Sequence, residues 1–267
     1  MPRLPRRRAH LAPKKHLPRS GTRATVGFFA SWAEINRFFH FVLDLVHVVE
    51  NTSQIAHQAL VETEHDEEKR KQIQAEWNKR ISAVEKLRIN RQFFMEVILV
   101  RHIENFLNYV AALLYDIFVT RPETLRSSDK LEVASVLQHD SIESLILDVA
   151  ERKVESLSYS SFGDLSQFFR ERFHLILADG EQMKLLLEAI ETRNISVHNR
   201  CVMNKRYISR LELGPENLGK KRALGIEYLD EVVPMLAELV RAIDKQARVK
   251  LKLRGFRFAK TIMTSSS

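Results

Sequence analysis

The segment EAIETRNISVHNR, residues 188–200, sets Arg193, Asn194 and His198 close together in the chain. Read as a helix, it presents an apolar stripe of Leu185, Leu186, Leu187, Ile190 and Val197. Asn194 falls inside that stripe, Arg193 and His198 fall on its two edges, and Glu191 lies beside His198. A histidine exchanges protons near neutral pH, and a guanidinium offers a permanent charge in a fork that matches phosphate oxygens. RNA carries its own nucleophile, the 2′-hydroxyl. Its cleavage needs a proton-transfer group and a cation to offset charge developing on the phosphate. Neither requirement calls for a metal or a cofactor. Arg193 and His198 stand about 140° apart around one helix, an awkward site for a single copy. Two copies of the helix facing each other across a twofold axis would converge both groups in one cleft, so a homodimer is expected. On the residues alone the plainer alternative stays open: a helix-end histidine and an arginine in an ordinary ion pair.

The elements that must position these groups read as helices throughout. Residues 1–24 carry Pro2, Pro5, Pro13, Pro18 and Gly21 and read as a disordered basic arm. A helix is expected from 31 to about 60, with Ser31 as N-cap and Glu34 three residues on. Residues 62–80 are dense in both charge signs, as in a solvated helix. One long helix is expected over about 82–119, ended by Thr120-Arg121-Pro122. Shorter helices follow over 130–157, then a turn at 161–164, helices over about 165–177 and 181–199, and a Gly/Pro loop over 214–225. The last helix, about 226–248, contains Pro234, which predicts a kink. The alternation in 248–258 fits either a strand or an extended arm. The expected fold is all-α, an antiparallel helical bundle.

Other residues are weighed against that frame. Arg101, Glu104 and Asn108 form a polar stripe on the 93–116 helix. Glu104 is placed to orient Arg193 across the core; the alternative is a solvated face. His102 reads as packing or surface, His65 as solvated, and the Phe-rich 28–41 stretch with Trp32 as core or dimer contacts. Cys201 has no apparent orienting histidine and reads as a small, half-buried residue.

Composition narrows the function classes. One cysteine excludes an intrachain disulfide framework and a Cys-based zinc site. Fifteen Gly and Pro together argue against a turn-rich β fold. No Gly-rich phosphate loop occurs. The net charge of +8 sits in two tails: residues 1–23 hold eight bases and 245–267 hold seven, with no acid in either. The intervening stretch holds 27 bases against 34 acids. Such tails fit a polyanion partner or simple solubilisation. No apolar run reaches the roughly 20 residues of a spanning helix, and no secretory core follows the basic start. A cytoplasmic protein without membrane contact is expected.

The string RNISVHNR, followed by VMNKRYI, resembles the end of the active helix in HEPN domains (higher eukaryotes and prokaryotes nucleotide-binding). Their signature is Arg, four to six residues, then His, often with Asn directly after the Arg. RHIENFLNYVAALLYDIFVTRPETL, 101–125, is similar to the long helix of many such domains. The resemblance covers about 85–245. With the disordered basic arm at 1–24 and the basic tail at 248–267, it divides the chain into an N-terminal helical extension at 25–84 and a HEPN-like bundle at 85–247. It further implies a usually dimeric, metal-independent RNase of toxin–antitoxin or phage-defence systems, acting on RNA, with an antitoxin or regulatory protein as a further partner. Arg193 and His198 become the catalytic pair with Asn194; Glu104, Glu191 and Asn199 become auxiliary. Two departures stand out. Some HEPN toxins carry a modifiable Tyr two residues after the His, where this chain has Arg200; related strings often have Gly at the position of Cys201. The family also holds non-catalytic nucleic-acid- or protein-binding modules, which is the alternative function.

Overall fold

Six of the helices begin where a side chain caps them. A computed structural model describes residues 18, 20–126 and 132–258 and is all-α apart from one two-stranded ladder. The Thr22 side chain accepts from the Thr25 amide and opens α1, Arg23–Thr63. Asp66 opens α2, Glu67–Lys79, and Ser82 opens α3, Ala83–Ile89, each by accepting backbone N–H groups. α4 is Arg91–Thr120, and Arg121-Pro122 ends it as the sequence predicts. α5 (Val133–Val136), α6 (Ile142–Ser158), α7 (Phe162–Phe173), α8 (Gly180–Asn199), α9 (Lys205–Arg210) and α10 (Ile226–Leu251) follow.

α4 is the axis of the bundle. Leu99, Ile103, Phe106, Val110, Leu113, Ile117 and Phe118 on it are buried, with α1, α6, α8 and α10 packed around them. The stretch Glu67–Thr120 contains one window apolar enough to cross a membrane by length and composition, with mean hydropathy 1.3; half of that window lies inside the bundle. The first half of α1 joins the same core through Phe28, Phe29, Trp32 and Phe39, and Phe39 stacks on Phe94 with centroids 5.4 Å apart.

Several boundaries differ from the sequence expectation. α1 starts at Arg23, so Ser31 is interior and Val26–Ala30 forms the second turn. The cause is long-range. Ser20–Gly21 (β1) pairs antiparallel with Phe256–Arg257 (β2), and Asp244 accepts from the Thr22 amide and the Thr25 hydroxyl, both at 2.7 Å. A Cβ on Gly21 would lie 2.6 Å from Thr25 Cγ2, so this close approach needs glycine. The helix expected over 82–119 is two, divided at Asn90. Gly163 and Asp164 lie within the first turn of α7, capped by Ser161. α10 continues through Pro234 to Leu251, and a short strand occupies part of the segment left open at 248–258. Of the two expected tails, residues 1–17, 19 and 259–267 lie outside the described residues.

Asp244 fastens the start of α1 to α10. Asp244→Ala leaves the Thr22 amide and Thr25 hydroxyl without their acceptor inside the fold. It is expected to lower stability by about 3 kcal/mol, read as a fall in urea midpoint with an unchanged slope.

Candidate functional site

α8 carries the site, and its sequence explains its two-sided burial. Leu186, Ala189 and Ile190 face the main core. One turn later the buried positions shift to Glu191, Thr192 and Ile195. That second face is covered by α9 and the loop after it: Ile195 packs with Met203 and Tyr207, Thr192 shares a 3.0 Å hydrogen bond with Tyr207, and Glu191 is ion-paired to Arg210.

This corrects the single-stripe reading. Val197, expected in the apolar stripe, is 48% exposed, and Asn194 is only half-buried. Covering one side of the helix end leaves the other open. Arg193, Asn194, Val197 and His198 lie on that open side.

Arg193 is the anchored member. Its Nη2 donates to Glu104 Oε1 at 3.0 Å and its Nη1 to Asn194 Oδ1 at 3.1 Å. Glu104 Oε2 also meets Arg101 Nη1 at 3.4 Å. One carboxylate therefore lies between two guanidiniums, and that trio keeps a net positive charge. Arg193 Nε is buried without a partner among the described residues. A half-buried guanidinium held by a carboxylate is fixed in direction and keeps charge for an anion. His198 sits exposed in the last turn of α8, with no hydrogen bond or ion pair among the described residues.

Of the predicted site residues, the structure thus brings Arg193, Asn194 and Glu104 into contact. It does not bring Glu191 or Asn199 to them. Glu191 points into the α9 side, and Asn199 Nδ2 donates to the Val202 carbonyl at 2.6 Å, holding the helix exit. That exit is tight: Arg200 and Cys201 both adopt left-handed dihedrals, φ 51° and 61°. Neither is glycine, so the turn directly after His198 carries backbone strain. The Cys201 amide closes the turn on the Ile195 carbonyl at 2.9 Å.

Residues that sequence reasoning missed hold this exit in place. Gln92 donates to the Arg222 carbonyl and accepts from the Leu224 amide, both at 2.9 Å. Arg222 pairs with Glu188 at 2.8 Å. Partners more than a hundred residues away in the chain leave no local signal. A cleft of about 1400 Å³ opens between α8, the α9 loop and α10, with Lys184, Tyr207 and Tyr228 on its wall; neither Arg193 nor His198 lines it. Its Arg222 and Arg210 are each paired with a glutamate. No group of three or more metal-ligating side chains is found among the described residues.

Cys201 is buried, and burial pushes its thiol pKa up; the Ser196 hydroxyl lies 3.4 Å from its sulfur. A thiol reagent at pH 7.5 is expected to leave the folded protein unlabelled and to take one equivalent after denaturation. Fast labelling of the folded chain would contradict this burial.

Comparisons with protein-family models, with curated proteins and with solved structures return no match.

Proposed function

We propose that this chain is a metal-independent endoribonuclease of the HEPN type. The observation that carries the reading is the end of α8, where a half-buried, oriented arginine and an exposed histidine share one helix. Arg193 clamps the scissile phosphate while Glu104 and Asn194 hold its guanidinium. His198 takes the proton of the 2′-hydroxyl as that oxygen attacks phosphorus. The imidazolium so formed returns the proton to the departing 5′-oxygen. The products are a 2′,3′-cyclic phosphate and a 5′-hydroxyl. Within one copy the two groups lie about 7.5 Å apart along the helix axis and point in different directions, so cleavage needs the α8 end of a second copy brought up on the bound RNA. An RNase of this type, with the resemblance of RNISVHNR, supports reading the protein as a cytoplasmic toxin or phage-defence effector, with an antitoxin or regulatory protein as its counterpart.

Expression in a bacterial host tests this directly. Wild type is expected to arrest growth with RNA fragmentation, and an equal level of His198→Ala is expected to be harmless. Equal arrest by both would remove the catalytic reading.

A second reading, a non-catalytic nucleic-acid-binding module, is favoured by one specific observation. The end of α10 gathers Arg248, Lys250, Lys252 and Arg254 beside Arg121. Arg121 Nε reaches the Leu251 carbonyl at 3.2 Å, and Lys250 Nζ the His174 carbonyl at 2.5 Å. Arg254 lies over the exposed Phe256 ring at 5.3 Å. Basic groups interleaved with an aromatic suit a single strand. From Glu104 to Arg121 the rise along α4 is about 25 Å, so this end and Arg193 are separable by mutation. Lys252→Glu with Arg254→Glu is expected to weaken RNA binding and flatten its salt dependence by about two counterions. Arg193→Ala is expected to remove cleavage while retaining most binding.

A further inference from the structure

From Phe38 onward, α1 leaves a large apolar face without a partner among the described residues. One side of it is occupied: His57 stacks on Trp77 of α2 at 4.2 Å, and Glu50 pairs with Arg80. The other side carries Phe38, Phe41, Leu45, Val48 and Ile55, exposed by 51, 60, 48, 60 and 69%. With Thr52 these positions step by three, four, three, four and three residues. That alternation is the seam of a coiled coil, in which each apolar side chain inserts between residues of a facing helix. Val49, 45% exposed, widens the seam on one flank.

We propose that this face docks a second copy of the same chain as an antiparallel helix pair. The register is fixed by self-complementarity. Centred between Val46 and His47, it sets Phe38 against the partner's Ile55, Phe41 against the partner's Thr52 and Leu45 against the partner's Val48. The flanks agree. Val42 meets the partner's Val49, Arg37 meets the partner's Gln58 and Asp44 meets the partner's Asn51, so no like charges oppose. A parallel pairing would bring both bodies to the same end, because Phe28, Phe29, Trp32 and Phe39 bind the start of α1 into the core. The antiparallel pairing sends the bodies to opposite ends. The six apolar side chains expose on the order of 700 Å² per protomer, near the roughly 800 Å² per partner of a standard interface.

The inference stands on exposure and spacing and does not rest on the ribonuclease reading; its readout is mass and cross-linking, not cleavage. Sedimentation of the full chain at micromolar concentration is expected to give twice the chain mass. Leu45→Glu is expected to weaken self-association at least ~30-fold with unchanged helical circular dichroism and melting temperature. Val249→Glu, at a 72% exposed residue outside the seam, is expected to stay dimeric. For the register, Leu45→Cys and Val48→Cys are made separately in a Cys201→Ser background. Mixed, they are expected to form the disulfide between unlike chains, with little cross-linking of either alone. A monomeric wild type, or a dimer indifferent to Leu45→Glu, overturns the proposal. Like-with-like cross-linking at Leu45→Cys overturns the antiparallel arrangement.

Discussion

His198→Ala lowers RNA cleavage at least ~100-fold, and Arg193→Ala lowers it by a comparable factor. The first number is the scale of general acid–base catalysis. The second follows from removing a cation aimed at charge that develops only in the transition state. Both changes leave the fold standing. His198 is exposed and has no hydrogen-bond partner among the described residues, so its loss is expected within about 0.5 kcal/mol of wild-type stability. Removing the Arg193 side chain still leaves Glu104 paired with Arg101. Glu104 acts one step back, by orienting Arg193. Glu104→Gln keeps a hydrogen-bond acceptor but loses the ion pair, and is expected to reduce kcat by roughly tenfold with little change in KM. Steady-state kinetics on a short labelled RNA separates the three variants. Equal activity of wild type and both alanine variants would show that cleavage comes from elsewhere.

A second large effect is acid instability centred on His102. Its ring is fully buried on α4, 6.5 Å from that of Trp32, and neither ring nitrogen has a hydrogen-bond partner among the described residues. Burial holds its pKa down at about 3, against the ordinary 6.5. The unfolded chain takes up this proton below about pH 6.5, while the folded chain resists it until about pH 3. The contribution is therefore fully present above pH 6.5 and is lost as pH falls through that window, by up to about 1.4 kcal/mol per pH unit. His102→Leu should remove that dependence. Urea titrations of both proteins at pH 7.5, 5.5 and 4.5 are expected to diverge by roughly 2–3 kcal/mol in favour of the variant between the first and last. Parallel curves would mean that the folded protein protonates this ring readily.

The helical class was legible because its punctuation is local. Pro122 ends α4 and Asp179-Gly180 opens α8 where expected. The start of α1 was not legible, since Thr22 is held by Asp244 and Gly21 by Phe256, both far along the chain. Asn90 divides α3 from α4 without a Pro or Gly, at dihedrals of −93° and 7°, and so carries no breaker signal. In the site, the Glu104–Arg193 contact was one of two readings of the polar stripe on the 93–116 helix, the other being a solvated face. The burial pattern around it was not legible. A single-face wheel assumes one covering surface, whereas α9 and its loop cover a second face at the end of α8. That second cover exposes Val197 and takes Glu191 away from His198. The apolar content of α1 was legible, but which half would meet the core was not; the break at Glu64–Asp66 and the return of α2 along its side decide it.

The most direct test of the central claim is a cleavage assay in excess EDTA with a defined RNA, comparing wild type with His198→Ala and identifying the new ends. The account predicts fragments from wild type alone, ending in 2′,3′-cyclic phosphate and beginning with 5′-hydroxyl. Intact RNA with both proteins at every dose, or identical fragments from both, would contradict it.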